Sequence, residues 1–173
     1  NNKGKAEITG KNATSFSYSK SNALEKPRLI VSPGKNNLGI YINESGDATQ
    51  TMNVALLDTT YKAVLSHSGK INYGDRDLLV TDYSIADNGE FYLLGMIKDP
   101  DPIKEKKKQR IYTLLVMKAG SDEVKEYKIN DSSRPMTEAA ITVDRIKGNA
   151  VVTGFYADKS SFSGAGLIFA KLK

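Results

Sequence analysis

Enzymatic chemistry needs a nucleophile, a base or a metal-binding set, and this chain is poor in all of them. It contains no cysteine and one histidine, His67, which excludes thiolate nucleophiles, disulfide scaffolds and histidine-rich metal clusters. His67 sits in Leu65-Ser66-His67-Ser68-Gly69, between hydroxyls but without the strained Gly-x-Ser-x-Gly elbow that exposes a nucleophilic serine. A Ser-His-Asp triad with Asp82 or Asp87 can be assembled on paper, as in any chain rich in Ser and Asp. The local pattern predicts instead a solvent-facing histidine at a strand end. Asp99, Asp101 and Glu105 could offer oxygens to Ca²⁺, but Pro100 and Pro102 stiffen the backbone and no EF-hand spacing is present. A proline-fixed turn is the expectation. Asp87 and Asp144 are read as matched turn residues whose carboxylates hydrogen-bond locally. No catalytic residue, metal or cofactor is expected.

Binding chemistry is better supplied. Nine tyrosines and no tryptophan put amphipathic rings on strands, and Tyr41, Tyr61 and Tyr73 are the candidates for an exposed contact surface. Lys104 to Arg110 is the densest basic run, so Lys106, Lys107 and Arg110 are candidates for an acidic partner. With 25 Lys and Arg against 20 Asp and Glu, a net charge of +5 describes a mixed surface. No aromatic residue interrupts the basic run for base stacking, so nucleic acid is not an expected ligand. Asn12, Asn43 and Asn130 match the Asn-x-Ser/Thr pattern, which a bacterial origin would leave idle.

These residues must be positioned by strands. Short β-branched and aromatic runs bounded by Gly, Asn, Asp and Ser recur along the whole chain, and no helical period competes with them. Residues 1–27 are read as an N-terminal strand at Ser15 to Tyr18 and a connector at Leu24 to Pro27. Further strands are expected near Arg28 to Ser32, Leu38 to Asn43, Met52 to Leu57, Ala63 to His67, Leu78 to Ala86 and Glu90 to Ile97. The series continues near Arg110 to Met117, Val124 to Ile129, Glu138 to Val143, Ala150 to Tyr156 and Gly166 to Leu172. Asp99 to Arg110 is predicted to be an exposed hairpin connection whose prolines cannot donate ladder bonds. No apolar run reaches the ~18 residues of a membrane-spanning helix, and the polar start Asn1-Asn2-Lys3-Gly4-Lys5 is unlike a signal peptide.

The chain also resembles itself. Tyr83 to Ile97 and Ala140 to Tyr156 each give an alternating strand, a turn with glycine, an apolar strand and a glycine near its end. The interval from turn glycine Gly89 to turn glycine Gly148 equals that from strand-end glycine Gly95 to strand-end glycine Gly154. A diverged earlier copy runs from Leu29 to Asp58, and Gly39 precedes Gly95 by nearly the same interval. A repeat of three or four antiparallel strands is the unit of a β-propeller, in which each sheet is too narrow to bury both faces and stacks on its neighbours. The expected fold is all-β, with about three propeller-like blades over 28–75, 76–131 and 132–173, and with Leu94 and Val152 at equivalent places. A chain of 173 residues holds slightly fewer than three such units, and ~4 to 8 blades close a ring. The expectation is therefore a partial or open propeller, and the alternative is a β-sandwich. An open end would leave an apolar face that drives self-association.

The run Asp82 to Gly95 resembles a propeller-blade signature, and Val152-Thr153-Gly154-Phe155-Tyr156-Ala157-Asp158-Lys159 is similar to its continuation. Both resemble uncharacterised, secreted or periplasmic β-propeller-like (WD40-like) repeat proteins of Bacteroidetes-type bacteria, over about Arg28 to Lys173. The resemblance implies a longer parent chain and a periplasmic, cell-surface or secreted location, and it supplies no catalytic residues. The functional expectation is a non-catalytic binding or scaffold module presenting blade loops to a protein or glycan. The alternative is part of a propeller enzyme with polar groups gathered in a channel.

Overall fold

The computed structural model describes residues 15–16, 23–98, 111–129, 136–157 and 164–172, and within them the secondary structure is entirely β. Twelve strands are arranged in three antiparallel sheets. The first sheet, blade I, holds β1 (Ala23–Leu24), β2 (Arg28–Val31), β3 (Leu38–Ser45), β4 (Gln50–Leu57) and β5 (Ala63–Ile71). Both β1 and β2 pair with β3, so they form one edge strand interrupted at Glu25-Lys26-Pro27, where proline cannot donate to the ladder. Leu24 thus belongs to a strand rather than to the expected connector. Ser15 and Phe16 carry no strand, and the rest of that expected element lies outside the described residues.

Blade II contains β6 (Leu78–Ile85), β7 (Phe91–Ile97), β8 (Ile111–Met117) and β9 (Val124–Ile129) in meander order. Blade III contains β10 (Met136–Val143), β11 (Ala150–Ala157) and β12 (Gly164–Lys171). The Asp99 to Arg110 connection, with Lys106, Lys107 and Arg110, lies outside the described residues.

Stacking explains the sequence pattern. On β7, Phe91 and Leu93 enter a core shared with Tyr41, Met52 and Val54 of blade I, while Tyr92 and Leu94 enter a second core with Ile141, Val143 and Val152 of blade III. Blade II is buried on both faces, so its central strands read as continuous apolar runs rather than as alternations. The first strands of successive blades touch, β2 with β6 and β6 with β10, and so do the last strands β5 and β9. Inner edges gathered on one side of stacked sheets are the arrangement of a partial propeller, not of a two-sheet sandwich.

One expected equivalence is corrected. Leu94 faces blade III, whereas Val152 faces blade II, so the counterpart of Val152 is Leu93. Side chains alternate across a sheet, and a one-residue offset exchanges its faces.

Candidate functional site

Tyr41, expected at a contact surface, is 1% exposed and belongs to the core between blades I and II. Its ring centroid lies 5.2 Å from that of Phe91 and 5.9 Å from that of Tyr83. A partner cannot reach it, so it is a core residue and not a contact residue. Burial, followed by the charges of Glu25 and Tyr83, pushes the Tyr41 hydroxyl well above the ordinary tyrosine range. Beside it lies a buried polar cluster. The Asn43 amide nitrogen donates to Gln50 Oε1 at 2.7 Å and to Glu25 Oε1 at 3.1 Å, and the Gln50 amide nitrogen donates to the Gly74 carbonyl at 2.9 Å. Asn43, one of the Asn-x-Ser/Thr sites, is thereby enclosed, and it is 1% exposed.

His67 lies inside β5 opposite Val54, not at a strand end, and faces blade II. Its Nδ1 is 2.9 Å from Asp122 Oδ1 on the β8–β9 turn. Neither aspartate of the paper triad is available to it. Asp82 accepts from its neighbour's amide, that of Tyr83, and from the Ile141 amide of blade III at 2.9 Å. Asp87 accepts the Gly34 amide of blade I with both oxygens at 3.0 Å. These carboxylates are blade-to-blade clamps, placed where inner-strand or turn amides would otherwise lack a partner.

The expected match between Asp87 and Asp144 fails on the same geometry. Asp144 accepts locally from the Ile146 amide, as Asn88 does from Glu90 and Asp58 from Thr60. By backbone bonding Asp144 holds the place of Ala86, since the Ala86 and Asp144 amides donate across their turns to the carbonyls of Glu90 and Asn149, and Asn88 repeats only its side-chain bond. Tyr73 is partly buried and donates its hydroxyl to Glu126 of blade II at 2.7 Å. Desolvation, then that hydrogen bond, raises the Tyr73 hydroxyl to about 12. Tyr61 is the expected contact residue that the structure leaves open, at 70% exposure. It stands on the β4–β5 turn with φ of 60°, a left-handed conformation that bulky residues rarely adopt.

The feature with the form of a docking surface is the side of blade III turned away from blade II. Phe155 on β11 pairs with Leu167 on β12, and Phe169 follows two positions along. All three are more than half exposed. On blade II the corresponding face, with Leu94, Leu114 and Val116, is covered by blade III. The opposite end of the stack is also apolar, with Leu29, Val31 and Val64 of blade I exposed. Sequence reading singles out none of these residues. The glycine register of the repeat could have found them, because it places Phe155 and its neighbours on a face that inner blades bury.

No family model matches the chain, and no curated protein matches it. Solved structures do. A Trp-to-Ala variant of Synechocystis apocarotenoid oxygenase is similar at a TM-score of 0.50 and 8% identity, covering 88% of this chain and 40% of that chain. A Glu-to-Gln variant of the same enzyme gives a TM-score of 0.49 and 9% identity, over 82% of this chain and 32% of that one. The chain thus spans about two fifths or less of these structures. At such identity the likeness is one of propeller-type fold alone. Among the described residues no group of three or more His, Asp or Glu side chains is gathered for a metal ion, and no helix is long and apolar enough to cross a membrane.

Proposed function

We propose that the chain is a non-catalytic interaction module that docks a protein through the open face of blade III. The observation that carries this reading is the exposed strip of Phe155, Leu167 and Phe169 on the face that the preceding blade buries against its neighbour. Stacking apolar sheet faces contributes about 25 cal/mol per Å² removed from water, and a partner with a flat apolar sheet face of its own would complete the series. Phe and Leu on a sheet favour protein over glycan. The exposed Tyr61 turn is a separate place where a loop-mediated contact would form.

A photo-crosslinking residue placed at position 155 or 169, in the cells that make the protein, tests this. Protein adducts are expected at both positions and not at position 146, where an exposed Ile146 lies on a turn away from the face. Adducts of equal yield at all three positions, or none at 155 and 169, would reject the docking face. Adducts of the chain with itself would identify the occupant as a second copy.

A further inference from the structure

The two turns at one end of blade I, between β2 and β3 and between β4 and β5, border a cleft of about 270 Å³. Val31 and Leu38, partners across the β2–β3 ladder, give it an apolar side, and Tyr61 adds an aromatic one. Lys35, Asn36, Asp58 and Thr59 complete its lining with polar groups.

Two of these residues hold a backbone conformation that side chains oppose. Lys35 has φ of 61° and Tyr61 φ of 60°, and among the described residues no other non-glycine residue has a positive φ. Blade II shows what its equivalent turn uses instead. The Lys35 amide donates to the Ser32 carbonyl as the Gly89 amide donates to the Ala86 carbonyl, and Gly89 has φ of 86°. Glycine takes that conformation at no steric cost, yet blade I places a long cation there. Strain of this kind persists where the surroundings enforce it, and it gathers at ligand clamps.

Here the surroundings do enforce it. Asp87 of blade II accepts the Gly34 amide with both carboxylate oxygens at 3.0 Å, and its carbonyl accepts the Asn37 side-chain amide at 2.9 Å. Across the cleft, Asp58 Oδ1 accepts the amides of Thr60 and Lys62 and the Thr60 hydroxyl, closing the turn that carries Tyr61. Both walls are fixed independently of any ligand, which lowers the ordering cost of binding. The bonds that fix them leave Asp58 Oδ2 and the side chains of Lys35, Asn36 and Thr59 unused among the described residues.

Those groups select the chemistry of a ligand. One cation and one carboxylate balance, so an ionised ligand gains no net field, while donors and acceptors are both on offer. A pyranose sugar matches this set. Its hydroxyls donate and accept, and its C–H face is apolar, with weakly positive hydrogens that suit the negative face of a tyrosine ring. The volume lies just under the ~300–1,000 Å³ of drug-sized sites, which suits a single ring.

We propose that this cleft binds one pyranose unit of a neutral saccharide, stacked on Tyr61 and hydrogen-bonded by Lys35, Asn36 and Asp58. The proposal gives the exposed Tyr61 turn a ligand class and is independent of the blade III face, so crosslinking at positions 155 and 169 bears on neither its success nor its failure.

The probes are the methyl pyranosides of glucose, galactose and mannose and of their N-acetylamino counterparts, with cyclohexanol and adenosine as controls. Titration into the intact chain is followed by backbone NMR shifts. At least one pyranoside is expected to shift the amides of residues 34–38 and 58–62 in the millimolar range, since a single ring makes few contacts. Tyr61→Gly should weaken that pyranoside at least tenfold while leaving the melting temperature unchanged or higher, because it removes a left-handed side chain. Asn36→Ala, on an exposed side chain, should weaken it at least threefold with folding intact, and Tyr61→Phe, which keeps the ring, should retain its affinity within threefold. A linear tetrasaccharide of the same sugar that binds at least tenfold more tightly would identify a unit within a polymer, and equal affinity would identify a free or terminal sugar; both uphold the site. The proposal is overturned if no pyranoside shifts these amides at tens of millimolar, if cyclohexanol or adenosine shifts them as strongly, or if Tyr61→Gly or Asn36→Ala binds as well as the parent chain.

Discussion

The orientation of the Asn43 and Gln50 amides follows from the backbone around them. The Gln50 nitrogen must face the carbonyls of Gly74 and Leu78, so its oxygen faces Asn43, and Asn43 must present its nitrogen in return. The Asn43 oxygen is left without a hydrogen-bond partner among the described residues, and so is the nearby Tyr41 hydroxyl. Two opposite outcomes are expected on truncation. Tyr41→Phe removes a polar atom that makes no bond while keeping the stacked ring, so urea unfolding should show stability unchanged within about 0.5 kcal/mol or increased. Gln50→Ala strands two carbonyls and an amide and opens a cavity, at a cost of about 2–4 kcal/mol. A loss above about 1.5 kcal/mol for Tyr41→Phe would show that the hydroxyl has a partner in solution. The burial of Tyr41 could not be read from the strand alone. Alternation along β3 places Leu38, Ile40 and Ile42 on one face and Gly39, Tyr41 and Asn43 on the other. The more apolar set suggests the core, but in a stack the face that meets the next blade is a core as well.

At the level of strands, the glycine register is the informative signal, and the structure gives its cause. Gly95 pairs with Val80 beside the β6 irregularity between Val80 and Asp82, and Gly154 pairs with Ala139 beside the β10 irregularity between Met136 and Glu138. Close approach and bulge, two alternative readings of a strand-end glycine, occur together. A Cβ on Gly95 would lie 2.5 Å from the flexible end of Leu78, whereas one on Gly154 would lie 2.6 Å from the Glu138 carbonyl oxygen. A side-chain tip can swing away and a strand carbonyl cannot. Gly154→Ala should therefore cost about 1–3 kcal/mol, more than Gly95→Ala, as read from paired thermal or urea unfolding. Equal losses would mean that β10 yields as easily as a leucine tip. Strand existence is legible because turn residues punctuate short apolar runs. The blade-to-blade roles of Asp82, Asp87 and Asp122 are not, because each depends on a partner in another blade that no local pattern encodes.

For the molecule as a whole, three stacked sheets are not energetically alike. Blade II gives both faces to cores, with Leu93, Leu94, Leu114 and Leu115 each at most 3% exposed. Blade III gives one face to a core, and its β12 carries Leu167 and Phe169 into solvent. The three-blade arrangement is legible from the repeat arithmetic, but the inequality of the blades appears only once faces are assigned. Native-state hydrogen exchange tests it directly, because the free energy of local opening follows the apolar area that opening exposes. Amides of β7 and β8 should exchange only through global unfolding, while β12 should exchange through an opening that leaves blade II protected. Raising urea should then merge the two classes at high denaturant, with the larger urea dependence on β7 and β8, since their exposure requires both interfaces to part. If β12 and β7 instead share one protection factor and one urea dependence, the three blades unfold as a single unit and the open face of blade III carries no stability cost. In that case blade III is held by its single core as firmly as blade II is by two, and the face bearing Phe155 and Phe169 needs no partner for order.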